Sequence, residues 1–185
     1  MTDIILIGNG GSSLDLKCGK EIDKIPKVCR FNKFYLGKWS KYVGTRTTHW
    51  VTYWGYGREV EEYDEILSTC YKSKKRFQRF KRKYPLSKVF PKDVLERTKD
   101  EMGYEYPSAG AFALTYLVHN TDFNDIAIYG FDHFSNKKHH YAGNKGYLGH
   151  HNPEKEKEFF ETYLQDGRIK RFNLSNVGVV PLTCA

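Results

Sequence analysis

Four of the seven histidines, His139, His140, His150 and His151, fall in one stretch of the chain. An unperturbed imidazole has a pKa of about 6.5, which suits it to take a proton from a hydroxyl at neutral pH. Imidazoles also ligate metals, but adjacent histidines point in different directions and no nearby cysteine or carboxylate completes a zinc spacing. No Asp-x-Asp pair is present either, so metal-independent proton transfer is the reading taken. A second constellation lies near the N-terminus, where Ile4-Ile5-Leu6-Ile7 runs into Gly8-Asn9-Gly10-Gly11-Ser12-Ser13. A glycine turn at the end of a first strand lets a phosphate or ribose approach the backbone. The dinucleotide fingerprint is imperfect, because Ser13 stands at its third glycine and the second strand ends in Arg30-Phe31-Asn32 without an acid. Hydride transfer is therefore disfavoured, and the P-loop pattern is absent. Asn9 and Asn32 end two neighbouring strands, where they serve either a ligand or the turn itself. Ser108 and Gly110 open a helix whose N–H groups can hold an anion, or Ser108 is simply its cap.

The elements that must carry these residues alternate. Residues 4–7 read as a buried strand, 14–25 as containing a short helix, 28–31 as a second strand and 47–53 as a third. Residues 59–70 and 92–102 read as helices. Residues 108–120 form a helix with Ala111, Ala113, Leu114, Leu117 and Val118 on a largely buried face. A strand at 125–130, a loop over 131–152, a polar helix at 154–165 and a last strand near 169–174 complete the chain. Alternating strands and helices predict an α/β fold: one Rossmann-like domain over 1–185 with a mainly parallel central sheet flanked by helices.

Composition bounds the partners. The 185 residues carry 30 Lys and Arg against 22 Asp and Glu, a net charge of +8 that favours an anionic partner. Much of it is concentrated in Lys72–Lys83, which holds eight basic residues and no acid and reads as a basic insert around 72–84. Its alternatives are a solvated helix face, an anionic acceptor, an acidic membrane surface or RNA. Phe77 and Phe80 either stack on such a partner or anchor the segment to the core. No run approaches a membrane span, and Met1-Thr2-Asp3 lacks the basic start of a secretory signal. Cys18, Cys29, Cys70 and Cys184 form no CxxC pair, so reduced thiols and a cytoplasmic location, with peripheral membrane contact through the basic segment, are expected.

Read together, these residues resemble the animal-type sialyltransferases. Ile7-Gly8-Asn9-Gly10-Gly11-Ser12, Gly19-Lys20-Glu21-Ile22-Asp23, Arg30-Phe31-Asn32 and Val43-Gly44-Thr45-Arg46-Thr47-Thr48-His49 resemble the large motif. Pro107-Ser108-Ala109-Gly110, running to Ile128-Tyr129-Gly130-Phe131, resembles the small motif. His139-His140-Tyr141 resembles the third, and His151 with Glu156 the very small motif. All four stand in the family's order, and bacterial lipooligosaccharide sialyltransferases share part of the pattern.

The resemblance implies a GT-A-like variant of the α/β fold and an inverting, metal-independent transfer of sialic acid from CMP-sialic acid to a glycan or glycolipid hydroxyl, with no cofactor. It implies that Gly8, Asn9, Gly10, Ser12, Asn32, Ser108, Ala109 and Gly110 bind the donor nucleotide and sugar. It makes His151 the general base, oriented by Glu156, with His140 and Tyr141 donating to the leaving phosphate. His150 is the alternative base if the register slips by one. A second CMP-linked ulosonic acid such as Kdo fits equally, and a non-enzymatic nucleic-acid-binding module explains the charge but leaves the motifs without a role. A non-catalytic relative is a third alternative. The chain departs from the family in four ways. Ile4 and Thr121 stand where the animal enzymes pair two cysteines, Ala109 replaces a threonine, the membrane anchor and stem are expected to be absent, and the acceptor region is expected to be reduced or differently built.

Overall fold

The computed structural model describes residues 1–53, 62–69, 74–133, 141–142 and 150–173. Seven strands form one sheet in which every pairing is parallel: β1 (Ile4–Ile7), β2 (Lys27–Phe31), β3 (His49–Thr52), β4 (Glu65–Ser68), β5 (Lys88–Val89), β6 (Ile126–Tyr129) and β7 (Lys170–Arg171). Their order is β5-β4-β3-β2-β1-β6-β7. The chain thus starts in the middle, builds outward to β5, then crosses back to lay β6 on the other side of β1. The crossing makes the gap between β1 and β6 a topological switch point, the place where open α/β sheets bind ligands beyond the strand ends. The expected mainly parallel sheet is all parallel among the described residues.

β1 is an unbroken aliphatic run because it is covered on both faces, and all four of its residues are buried. Ile4 and Leu6 face one helical layer, α4 (Lys92–Met102), α5 (Ala109–Asn120) and α6 (Pro153–Gln165), through a cluster that includes Phe112, Leu114 and Phe160. Ile5 and Ile7 face the other, where α1 (Gly19–Ile22) and α2 (Ser40–Val43) contribute Ile22 and Val43. The two edge strands are two residues long and carry Lys88 and Arg171, which blunts them against further pairing.

Residues 65–68, expected inside a helix over 59–70, are β4. The surrounding acids favour helix, but Ile66, Leu67 and Ser68 are buried between β3 and β5, and sheet packing overrides the local preference. The basic stretch forms α3 (Lys74–Lys83), the connection from β4 to β5. Phe80 is buried and Phe77 half-buried, in a cluster with Phe34, Trp50, Ile66 and Tyr84. The two phenylalanines therefore anchor the helix to the core.

Much of the large motif turns out to brace the strands. The Arg30 guanidinium, buried in β2, donates to the carbonyls of Val43 and Arg46 and to the Thr47 hydroxyl. Asp23 accepts from the backbone of Thr45 and Arg46. Gly44, at φ 71, lets Asp23 come close, because a Cβ there would lie 2.5 Å from its Oδ1.

Candidate active site

The glycine turn joins the ends of β1 and β6. Gly8 donates to the Tyr129 carbonyl at 2.7 Å and Gly10 to the Gly130 carbonyl at 2.9 Å. A Cβ on Gly8 would sit 2.3 Å from the Gly130 oxygen, and one on Gly10 would sit 2.5 Å from Asp132 Cγ. Both positions must stay bare for the strand ends to close. Ser12 donates to the Asp132 carboxylate through its N–H, at 3.2 Å, and through its hydroxyl. Gly8, Gly10 and Ser12, expected to cradle a donor, thus commit these donors to β6 and the residues after it. Asp132 carried no signal in the sequence beyond its place two residues after Gly130.

Asn9 is the turn's outward polar side chain. Its Nδ2 donates to the carbonyls of Phe31, at 3.0 Å, and Lys33, at 3.4 Å. Asn32 follows β2 in the left-handed region, φ 48, and its Oδ1 accepts from Tyr53 N–H at 3.1 Å. Among the described residues, Asn9 Oδ1 and Asn32 Nδ2 hold no hydrogen bond. The pair presents one acceptor and one donor at adjacent strand ends. Tyr141 is fixed beside them: its N–H donates to the Asn9 carbonyl at 2.9 Å, and its hydroxyl both donates to Tyr35 O, at 2.6 Å, and accepts from Tyr35 N–H. The Tyr141 hydroxyl thus sits against the Tyr35 backbone at the strand ends. His140 lies outside the described residues, as does His139.

Phe131 links this edge to the helix at the small motif. Its ring lies 3.1 Å from where a Gly8 Cβ would stand and 2.8 Å from where a Gly110 Cβ would stand. Gly110 is therefore required for packing, and Ala109 beside it is half-buried. Ser108 caps α5, accepting from Ala111 N–H at 3.1 Å. Its own proton goes to Glu156, which is buried in the first turn of α6. Burial pushes the Glu156 carboxyl up to about 7, against the opposing hydrogen bond from Ser108. Glu156 Oε2 finds no partner among the described residues.

The expected Glu156–His151 contact is thus replaced by Glu156–Ser108. The reading of Glu156 as a solvated charge between Lys155 and Lys157 also fails, and the sequence held the reason. Glu156 lies on one helical stripe with Phe159, Phe160 and Tyr163, all buried. His151 is oriented instead by the Tyr106 carbonyl, 3.0 Å from Nδ1. An Nδ1–H donating there leaves the lone pair on Nε2. Burial lowers the His151 pKa from 6.5, with His150 adding to the effect and the Tyr106 contact opposing it. The neutral imidazole that a base requires is therefore the favoured form. The His150 side chain is exposed, while its carbonyl accepts from the Tyr104 hydroxyl.

The profile of glycosyltransferase family 29 (sialyltransferase) matches residues 3–68, the segment that carries Asn9, Arg30 and Asn32. That segment is similar to family 29 sialyltransferases. The fold agrees: a mammalian sialyltransferase structure superposes with a TM-score of 0.66 at 21% identity, over 91% of this chain and 68% of that one. A mammalian sialyltransferase in complex with Gal-beta-1-3GalNAc-ortho-nitrophenol superposes with a TM-score of 0.68 at 20% identity, over 92% and 69%. No curated protein matches the chain. Among the described residues, no helix is long and apolar enough to cross a membrane. Among them too, no group of three or more His, Cys, Asp or Glu could hold a metal ion.

Proposed function

We propose that the chain is an inverting, metal-independent glycosyltransferase that moves sialic acid from CMP-sialic acid to a glycan hydroxyl. The observation that carries this reading is the family 29 match over residues 3–68, which contains both strand-end asparagines. The acceptor class is supported by the relative solved with a disaccharide.

Asn32 Nδ2 and Asn9 Oδ1 bind the cytidine monophosphate, one donating and one accepting. Ser108 and the N-terminus of α5 receive the sugar carboxylate, where the helix's first N–H groups and its dipole favour negative charge. The acceptor oxygen attacks the anomeric carbon as His151 Nε2 takes its proton. The bond from that carbon to the phosphate oxygen breaks, and the phosphate leaves with the electron pair. His140 and Tyr141 donate to that phosphate in this scheme, and the Tyr141 N–H holds the Asn9 carbonyl.

A thermal-shift panel tests the donor assignment without a guess about the acceptor. Cytidine monophosphate should stabilise the protein more than adenosine, guanosine or uridine monophosphate does, with no metal added. At a hundred times its dissociation constant it should add about 2.7 kcal/mol. Equal shifts for all four nucleotides, or a shift that needs manganese, would overturn the reading. Comparing CMP-sialic acid with CMP-Kdo as donors then separates the two sugars.

A further inference from the structure

The most concentrated charge on the described surface is α3, and the candidate site does not use it. Lys74, Lys75, Arg76, Arg79, Lys81, Arg82 and Lys83 are all exposed, while Phe77 and Phe80 turn inward. The helix has no acid in its first turn or anywhere along it. Cations in that first turn oppose the helix dipole, and like charges one turn apart, such as Lys75 with Arg79, repel. Among the described residues, Lys74, Lys75, Arg79, Lys81 and Arg82 form no ion pair that would relieve this. The helix is held by its buried anchor, Phe80, with Phe77 half-buried beside it. Such a face gains from any dense anionic surface laid against it.

The turn after the helix says which kind. Ser87 donates to the Tyr84 carbonyl through its N–H, at 3.0 Å, and its hydroxyl, at 2.7 Å, and both residues are buried. Held between them, Leu86 is 82% exposed. A soluble polyanion has no use for a fixed aliphatic side chain. A single-stranded nucleic acid would want aromatic rings to stack on, and the rings of this helix face the core. A bilayer uses both parts, with headgroup phosphates against the cations and the acyl boundary around the leucine.

We infer that α3 and the Tyr84–Ser87 turn form a peripheral docking surface for an anionic lipid bilayer. The inference goes beyond the transferase reading and does not depend on it. Because α3 connects the end of β4 to the start of β5, its first turn follows the sheet edge that carries Asn9 and Asn32.

Co-sedimentation with vesicles tests it. Wild-type protein should bind phosphatidylcholine vesicles containing about one-third phosphatidylglycerol at least about tenfold more tightly than pure phosphatidylcholine. Raising salt to about 1 M should abolish the difference, since the Debye length falls to about 3 Å. The triple variant Lys75→Gln, Arg79→Gln, Arg82→Gln should lose about tenfold or more of the affinity for the anionic vesicles. Leu86→Ser should weaken binding several-fold while keeping its salt dependence. All four side chains are exposed, so circular dichroism melts should match wild type for Leu86→Ser and fall at or slightly above it for the triple variant, which removes the Lys75–Arg79 repulsion. Equal binding to both vesicle types overturns the inference, as does a folded triple variant that binds like wild type. Unchanged binding by Leu86→Ser, together with tighter binding of a single-stranded oligonucleotide than of vesicles, overturns it in favour of a soluble polyanion.

Discussion

Asn9 and Asn32 owe their positions to the backbone, whereas Ser108, Glu156 and His151 are held by contacts between distant parts of the chain. On the side proposed for the nucleotide, two parallel strands end side by side, and the bonds from Asn9 Nδ2 to Phe31 O and from Tyr53 N–H to Asn32 Oδ1 fix both amides without any titratable group. On the other side, the Ser108 hydroxyl at the start of α5 donates to Glu156 at the start of α6, and the His151 imidazole is oriented by the Tyr106 carbonyl. The bonds that hold the two amides do not themselves titrate. The second region carries two titratable groups that burial shifts, Glu156 raised to about 7 and His151 lowered from 6.5. The proposed transfer needs this division, because the nucleotide must be held through a reaction in which a proton moves elsewhere.

The largest effect should come from His151. His151→Ala should lower transfer by about 100- to 10,000-fold, the usual worth of a general base, and leave cytidine monophosphate affinity unchanged. His150→Ala, on an exposed side chain, should cost at most a few-fold. The reverse result would move the base to His150, and two small effects would remove histidine from the mechanism. Because burial lowers the His151 pKa, kcat/KM should hold at neutral pH and fall only as pH drops below 6.5. An acid limb centred above that value would name another group.

Glu156 comes next. Its carboxyl is raised from 4.5 to about 7, so the folded state holds the proton more tightly than the unfolded chain. The stability this adds is complete below pH 4.5 and is lost as pH rises through about 7. Urea unfolding across that window should show the decline in wild type, and Glu156→Gln should flatten it. Glu156→Ala should destabilise by about 2–3 kcal/mol, since it leaves a cavity and strips the Ser108 proton of its acceptor. If Glu156→Gln also costs more than tenfold in cytidine monophosphate affinity, the two regions are coupled and the contrast between them fails.

The same contrast explains what could be read in advance. The aliphatic run of β1, the glycine turn and the cap of α5 are local patterns, and each appears in the structure close to where the sequence puts it. β4 was missed because Ile66-Leu67 is too short to show a period, and its neighbours in the sheet decide its form. Glu156 was placed in its helix, yet its partner was misjudged, since a contact across 48 residues leaves no trace in spacing. Its position on the apolar stripe with Phe159, Phe160 and Tyr163 was the readable warning. Asp132 filling the turn depends on β6 lying beside β1, which only the crossover establishes.

The smallest effect separates a nucleotide contact from turn chemistry at Asn32. Asn32→Gly loses the bond to Tyr53 N–H, about 1 kcal/mol, but keeps φ 48 without strain. Asn32→Ala loses the same bond and adds about 1 kcal/mol for a Cβ in the left-handed region. Urea unfolding should therefore rank wild type above the glycine variant and the glycine variant above alanine. Binding gives a different ranking. If Nδ2 touches the nucleotide, both variants should lose cytidine monophosphate affinity to the same degree, about tenfold, because both lack the amide. If Asn32 only shapes the turn, Asn32→Gly should bind like wild type while Asn32→Ala falls with its stability. That outcome would leave Asn9 alone on the nucleotide side and undo the donor–acceptor pair on which the donor assignment rests.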